Sequence, residues 1–128
     1  MVVDSSALVA ILLHEAGWDV LLDRLDADPH PVLSAANALE AAIVMEIRKG
    51  AIGGSDLDLF LRDSGIEIVP VTHEHYDLAR EAWRRFGKGR HPAALNICDC
   101  LAYALSKGTG EPLLFVGNDF AKTDVTAA

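Results

Sequence analysis

Two aspartates stand at the ends of apolar segments, where a carboxylate has a clear chemical use. Asp4 ends the first predicted strand, residues 1–3, and Asp119 lies just beyond the last one, residues 113–116. In open α/β sheets the ligand crevice lies outside the carboxyl ends of the strands. We therefore expect these two carboxylates to meet in one cleft. Taken singly, each aspartate could equally be a helix cap or a turn residue.

Two further acids interrupt apolar helical faces. Glu40 lies within a predicted helix over residues 35–49, and Asp99 lies in the stretch 93–102, whose only other strongly polar side chain is Asn96. No Lys or Arg lies one helical turn from either acid, and a buried carboxylate is costly unless it is paired. Mg²⁺ or Mn²⁺ would be a suitable partner, because both favour oxygen ligands and retain several waters. For each acid alone, an exposed rim position is the alternative.

A basic segment precedes the Asp99 helix. Between residues 80 and 91 five bases oppose one acid, Glu81, and these bases are Arg80, Arg84, Arg85, Lys88 and Arg90. Lys88 and Arg90 fall in a glycine-flanked loop. A phosphodiester substrate would require a flexible cationic loop of this kind near a metal–carboxylate cluster. Arg80 and Arg84 fit an ordinary solvated helix face better.

The elements that must position these residues alternate between short apolar strands and helices. This order predicts an α/β fold with a mostly parallel sheet sandwiched by helices, in a single domain over residues 1–128. The predicted strands are 1–3, 32–33, 66–71 and 113–116, and the predicted helices are 7–13, 17–27, 35–49, 55–64, 73–86 and 93–107.

Composition excludes several classes of protein. The 128 residues include 19 acids and 11 bases, for a net charge of −8, and 51% of them are hydrophobic. This apolar content excludes a disordered chain, and no segment approaches the roughly 20 apolar residues of a membrane span. An export signal is not expected, because Asp4 interrupts the first apolar run. The acidic balance argues against binding nucleic acid through bulk charge.

The remaining motifs exclude other chemistry. Cys98 and Cys100, two apart on a helix, would point away from each other, so neither a disulfide nor a shared metal is expected. Nothing indicates an oxidising compartment, so we expect a cytoplasmic protein. Gly87-Lys88-Gly89 lacks the Ser or Thr of a P-loop. His73 and His75 follow Thr72, a predicted helix cap, and should face different directions.

Four blocks, in a specific order and spacing, resemble one known family. They are Asp4-Ser5-Ser6-Ala7-Leu8, Glu40 in the third helix, Gly89-Arg90-His91-Pro92-Ala93-x-Leu95-Asn96-x-x-Asp99-Cys100-x-x-Tyr103-Ala104, and Leu114-Phe115-x-Gly117-Asn118-Asp119-Phe120. Together they resemble the PIN-domain ribonucleases, and most closely the VapC-type toxins of bacterial toxin–antitoxin pairs. The resemblance covers essentially the whole chain.

The resemblance implies a Mg²⁺- or Mn²⁺-dependent endoribonuclease, inhibited by a cognate antitoxin protein and usually a homodimer. By position, Asp4, Glu40, Asp99 and Asp119 match the family's acidic quartet, and Asp4 and Asp99 match its principal metal ligands. Ser6 matches a small polar position beside the metal, and it joins Lys88 and Arg90 as a predicted substrate contact. Glu40 or Asp119 would position the attacking water or accept its proton.

Two other functions stay open at this level. A haloacid-dehalogenase-like phosphatase also begins with an aspartate at a strand end, but it needs a second acid where this chain has Ser6. A non-catalytic partner-binding module would use any metal only structurally. Cleavage of RNA by the purified protein would separate the nuclease from that module.

Overall fold

A four-stranded parallel sheet forms the centre of the computed structural model, which describes residues 1–128. The strands are β1 (Val2–Val3), β2 (Val32–Ser34), β3 (Glu67–Val69) and β4 (Leu113–Leu114), and their order across the sheet is β3-β2-β1-β4. The helices are α1 (Ser5–Leu12), α2 (Trp18–Asp26), α3 (Ala35–Lys49), α4 (Ala51–Asp63), α5 (His73–Phe86) and α6 (Ile97–Thr109), and Phe120–Lys122 forms one 3₁₀ turn. This architecture confirms the predicted α/β sandwich.

Strand β1 is central, and its two residues face opposite sides of the sheet. Val2 is part of one core with α5 and α6, whereas Val3 is part of another with α1 to α4. Leu113 and Leu114 of β4 divide in the same way. Because alternate residues of a strand point to opposite faces, two residues per strand suffice to join both helical layers.

Helix α6 begins four residues later than predicted. The prediction of a helix from residue 93 was wrong, because Ala94 has a φ of 52° and Leu95 pairs with Gly87 in an isolated parallel bridge. Asn96 then caps the helix, with its side chain accepting a hydrogen bond from the Asp99 amide. Residues 87–96 therefore form an ordered loop, and the helix starts within one turn of Asp99.

Other boundaries shift as well. Helix α4 begins at Ala51, four residues before the predicted start, and strands β3 and β4 are shorter than predicted. The predicted cap at Thr72 is confirmed: its hydroxyl accepts from the His75 amide. None of the helices has both the length and the apolar character needed to cross a membrane.

Two adjacent glycines in α4 meet different surroundings. A Cβ on Gly53 would lie 2.2 Å from the backbone oxygen of Met45 in α3, which cannot move without shifting the helix. A Cβ on Gly54 would lie 2.6 Å from Glu46 Oε1, the end of a flexible side chain. Close contact of α3 and α4 therefore depends on Gly53 and not on Gly54.

We expect Gly53→Ala to lower the free energy of unfolding by about 1–3 kcal/mol, the usual cost of overpacking. Gly54→Ala is the matched control, and it should leave stability unchanged or raise it by up to about 1 kcal/mol through helix propensity. Urea unfolding followed by circular dichroism measures both. Equal effects of the two substitutions would contradict the proposed role of Gly53.

Candidate active site

Asp4 lies at the carboxyl end of the central strand and is 2% exposed. Its Oδ2 accepts hydrogen bonds from the Ser6 amide (3.0 Å) and the Ser6 hydroxyl (2.6 Å), and its Oδ1 accepts one from Asn37 Nδ2 (3.0 Å). Asp4 is also the N-cap of α1, as the simpler interpretation of its position proposed. A cap alone does not require burial, and this carboxylate is almost wholly removed from water.

Glu40 lies in α3, which follows β2 directly. Its side chain is half-buried, and its Oε1 accepts a hydrogen bond of 2.8 Å from the buried Ser5 hydroxyl. Ser5 directly follows Asp4 in sequence, so the segment that carries Asp4 also orients the Glu40 carboxylate. Glu40 borders an apolar groove whose other walls include Ile43 and Cys98.

Asp99 lies in the first turn of α6 and is half-buried. It forms a reciprocal capping box with Asn96: the Asp99 amide donates to Asn96 Oδ1 (2.9 Å), and the Asn96 amide donates to Asp99 Oδ2 (3.0 Å). Since α6 begins at this point, the unpaired amides of its first turn favour a negative charge here.

Asp119 reaches the same region from the other neighbour of β1. It follows β4 after Gly117, whose φ of 95° suits glycine. The Asp119 side chain is exposed, and the next residue, Phe120, is buried against Phe115. The buried ring anchors the turn while the carboxylate remains in solvent.

The four acids are close enough to influence one another's ionisation. The pKa of Asp4 is raised to about 6, mainly by burial and also by the charges of Asp99 and Glu40, against the lowering effect of its Ser6 hydrogen bonds. The pKa of Asp99 is also raised, mainly by burial and then by the charges of Glu40 and Asp119. These pairwise effects link the four predicted acids into one electrostatic cluster, in which Asp119 acts on Asp99 alone.

The chemistry of this cluster fits a hard divalent cation. None of the four acids takes part in a salt bridge with Lys, Arg or the amino terminus. No group of three or more His, Cys, Asp or Glu side chains is arranged so that it could hold a metal ion by itself. An all-oxygen set that supplies one or two direct carboxylates matches Mg²⁺, which retains several waters. Asp4 and Asp99 are the best-placed candidates to hold the ion.

The cysteines do not offer a competing chemistry. Both are free, and Cys98 is half-buried whereas Cys100 is buried. Burial raises the pKa of the Cys98 thiol to about 12, with a further contribution from Glu40, and burial raises that of Cys100 to about 11. Both remain protonated near neutral pH, so neither is an activated nucleophile or a thiolate ligand.

Ser6 links the first strand to the last. Its hydroxyl donates to Asp4 Oδ2 and accepts a hydrogen bond of 3.0 Å from the Val116 amide, just beyond β4. The predicted small polar position therefore holds Asp4 in place against the segment that leads to Asp119.

Lys88 and Arg90 lie on the exposed loop before α6. The Arg90 guanidinium stacks 4.4 Å above the Trp83 ring and donates to the Arg84 carbonyl at 3.5 Å. Lys122, three residues after Asp119, donates to the Pro92 carbonyl at 3.4 Å and so ties this loop to the Asp119 turn. Arg80 lies beside a separate apolar groove, and Arg84 pairs with Glu81 at 3.9 Å.

Sequence reasoning missed Asn37. Its side chain is fully buried and donates a hydrogen bond to Asp4. The sequence did contain a signal, because Asn37 is a polar residue one turn before Glu40, on the same face of an Ala- and Leu-rich helix. Sequence reasoning also missed the role of Asp124, which accepts from the Tyr103 hydroxyl (2.7 Å) and pairs with Lys107 (3.2 Å). Asp124 fastens the carboxyl-terminal segment to α6.

Comparison with known proteins identifies the family. The PIN domain profile matches residues 1–125. The chain is 50% identical over 127 residues to "Ribonuclease VapC" of Mycolicibacterium smegmatis, covering 99% of this chain and 98% of that one. It is 46% identical over 125 residues to "Ribonuclease VapC30" of Mycobacterium tuberculosis, covering 98% and 95%.

A solved structure has the same fold. The crystal structure of Mycobacterium tuberculosis VapC20, described as a sarcin–ricin loop cleaving toxin, superposes with a TM-score of 0.78 over 99% of this chain and 97% of that one. At 18% sequence identity, this similarity concerns the fold alone. The family match confirms the resemblance drawn from the four blocks.

The raised pKa of Asp4 predicts a pH-dependent cost of folding in metal-free protein. Between pH 3.8 and about pH 6, Asp4 is ionised in the unfolded state but still protonated in the folded state. The free energy of unfolding therefore falls as the pH rises through this window, and the full loss is reached above it. We expect the stability of Asp4→Asn relative to the parent to rise by up to about 3 kcal/mol between pH 4 and pH 7.5.

Urea unfolding in EDTA at several pH values measures this difference, with Asp58→Asn as the exposed control. The control should show no such trend. A constant difference between Asp4→Asn and the parent across the whole range would refute the raised pKa.

Proposed function

The chain belongs to the PIN-domain family and groups with its VapC ribonucleases, and on that basis we propose that it is a metal-dependent endoribonuclease that hydrolyses RNA phosphodiester bonds. One observation carries the proposal: a carboxylate that is 2% exposed, without a basic partner, within a cluster of four acids. Such a cluster is costly as a purely structural feature and useful as a cation site.

We propose that Asp4 and Asp99 hold the ion and that it is Mg²⁺, with Mn²⁺ able to substitute. Both acids lie where an element begins or ends, and both carboxylates have local hydrogen bonds that fix their orientation. A divalent cation held here would supply the charge that lowers the pKa of the attacking water and neutralises the scissile phosphate.

We assign the handling of the attacking water to Glu40 and Asp119. Glu40 has one oxygen occupied by the Ser5 hydroxyl, so its orientation is set while the other oxygen can accept a proton. The Asp119 carboxylate is exposed and accepts no hydrogen bond from the rest of the chain. It can therefore accept one from a water molecule.

We propose that substrate binding depends on a few cations on the loop before α6. Lys88 and Arg90 lie on the loop that Lys122 ties to the Asp119 turn, and the stacking on Trp83 holds the Arg90 guanidinium in place. The Ser6 hydroxyl retains an acceptor lone pair that RNA could use. Its existing hydrogen bonds join Asp4 to the Val116 amide, so its main role is to orient Asp4. A net charge of −8 keeps non-specific RNA affinity weak.

We propose that the chain is the toxin of a type II toxin–antitoxin pair, acting in the cytoplasm, with a small cognate antitoxin and a homodimeric assembly. Helix α3 exposes Leu39, Ile43 and Ile47 at 62%, 50% and 78%, a stripe that a protein partner would cover. The acidic surface suits a cationic antitoxin segment. Free Cys98 and Cys100 suit a reducing compartment.

The phosphatase alternative does not agree with the family match, and Ser6 supplies a hydroxyl where that chemistry needs a second acid. The non-catalytic binding module predicts a protein that associates with a partner and leaves RNA intact. The following experiment decides between that module and the nuclease.

We expect the purified protein to cleave RNA in millimolar Mg²⁺ and to stop in EDTA. Asp99→Asn should lower kcat by more than about 100-fold, because the loss of a direct ligand should exceed the effect of losing an outer-shell partner. The asparagine oxygen can still accept from the Asn96 amide, so the substitution removes the charge and keeps the cap. Gel analysis of end-labelled RNA measures the rate.

Asp63→Asn is the matched control, because Asp63 is 73% exposed on α4 and forms an ion pair with its neighbour Arg62 at 3.6 Å. It should cleave like the parent protein. Cleavage that resists the chelator, or full activity in Asp99→Asn, would overturn the metal-dependent mechanism. An inert parent protein that binds a small partner would favour the binding module.

The basic loop generates a second test. We expect the double substitution Lys88→Ala with Arg90→Ala to raise KM and to reduce the salt slope of RNA binding by about 0.7 for each phosphate that the loop no longer neutralises. Arg80→Ala with Arg84→Ala removes the same charge from the neighbouring helix. If the two double variants change KM and the salt slope equally, RNA binding depends on the total charge and the proposed role of the loop is wrong.

A further inference from the structure

Asn37 makes contacts that its position in the helix does not explain. It lies in the first turn of α3, three residues after the N-cap Ser34, and its side chain forms no hydrogen bond with the backbone of its own helix. Its Nδ2 donates instead to Asp4 Oδ1 (3.0 Å) and to the Cys98 carbonyl (3.2 Å), which are 33 and 61 residues away in sequence.

These two bonds connect the elements that carry three of the four acids. Asp4 ends β1, Cys98 precedes Asp99 in the first turn of α6, and Asn37 precedes Glu40 by one turn of α3. A single amide group therefore sets the position of the Asp4 carboxylate relative to the start of the Asp99 helix.

The orientation of the amide shows which of its atoms matters. Asn37 is fully buried, and its Oδ1 has no hydrogen-bond partner. Turning the amide over would place Oδ1 against two acceptors, so the present orientation is required. An unsatisfied buried acceptor carries a desolvation penalty. The two donated hydrogen bonds therefore fix the orientation of the Asn37 amide.

We propose that Asn37 is a positioning residue that holds Asp4 and the Asp99 turn at the separation needed to bind the divalent cation. The inference rests on the proposed metal-dependent nuclease. Through its two N–H donors, Asn37 would act on cation affinity and on kcat, whereas RNA contacts on the basic loop would remain.

Asn37→Leu tests this with a side chain of similar size that donates no hydrogen bond. We expect the Kd for Mn²⁺, measured by isothermal titration calorimetry without RNA, to rise about 10–100-fold, as when other outer-shell partners are removed. At saturating metal, kcat should fall while KM for RNA stays within about twofold. Asn37→Ser keeps one donor and should restore part of both properties.

Ser106→Ala is the control for loss of a buried hydrogen bond. Ser106 lies near the other end of α6, is 3% exposed, and donates to the Glu111 carbonyl at 2.6 Å. This variant should lose stability without change in Mn²⁺ affinity or kcat. Unchanged Mn²⁺ affinity and kcat in folded Asn37→Leu would overturn the proposal; if that variant does not fold, the same comparison in Asn37→Ala decides it.

The two proposals fail differently. If the parent protein binds Mn²⁺ but does not cut RNA, the nuclease proposal fails, and the Kd values still test the effect of Asn37 on the cation site. If the parent cuts RNA and Asn37→Leu matches it in Kd and kcat, only the positioning role fails.

Discussion

The constraint on which the site depends is the burial of one carboxylate at the end of the central strand. Asp4 is nearly inaccessible to water, and desolvation is the largest contribution to its raised pKa. Three donors, two from Ser6 and one from Asn37, offset part of that cost. The Ser6 donors come from α1, which follows β1 directly, and the Asn37 donor comes from α3, which follows the neighbouring strand β2.

The strand order explains why the other acids converge on Asp4. Strand β2 lies on one side of β1 and leads into the helix with Asn37 and Glu40, while β4 lies on the other side and leads to Asp119. All the strands are parallel, so their carboxyl ends share one edge. Asp99 arrives differently, from a helix that begins at this edge after an ordered loop.

Much of this could be read from the sequence, because its strongest signals are local. Strand ends, apolar periodicity and polar interruptions indicated the sheet, the helices and the positions of Asp4, Glu40, Asp99 and Asp119. The start of α6 was misplaced because a bridge between Leu95 and Gly87 and the left-handed Ala94 override helix propensity. Asn37 was missed because its one local signal, a polar residue one turn before Glu40, does not identify its partners, which are 33 and 61 residues away.

The acids combine two functions that would be separate in a simpler site. Asp4 caps α1, and Asp99 takes part in the cap of α6, so the positive ends of two helices meet the carboxylates before any cation is bound. These local bonds restrain side chains that repel one another, and they occupy oxygens that could otherwise form a closed cage. Under the proposed metal-dependent mechanism, the arrangement would limit the number of direct protein ligands to a divalent cation. Mg²⁺ would suit that limit, because it keeps part of its water shell.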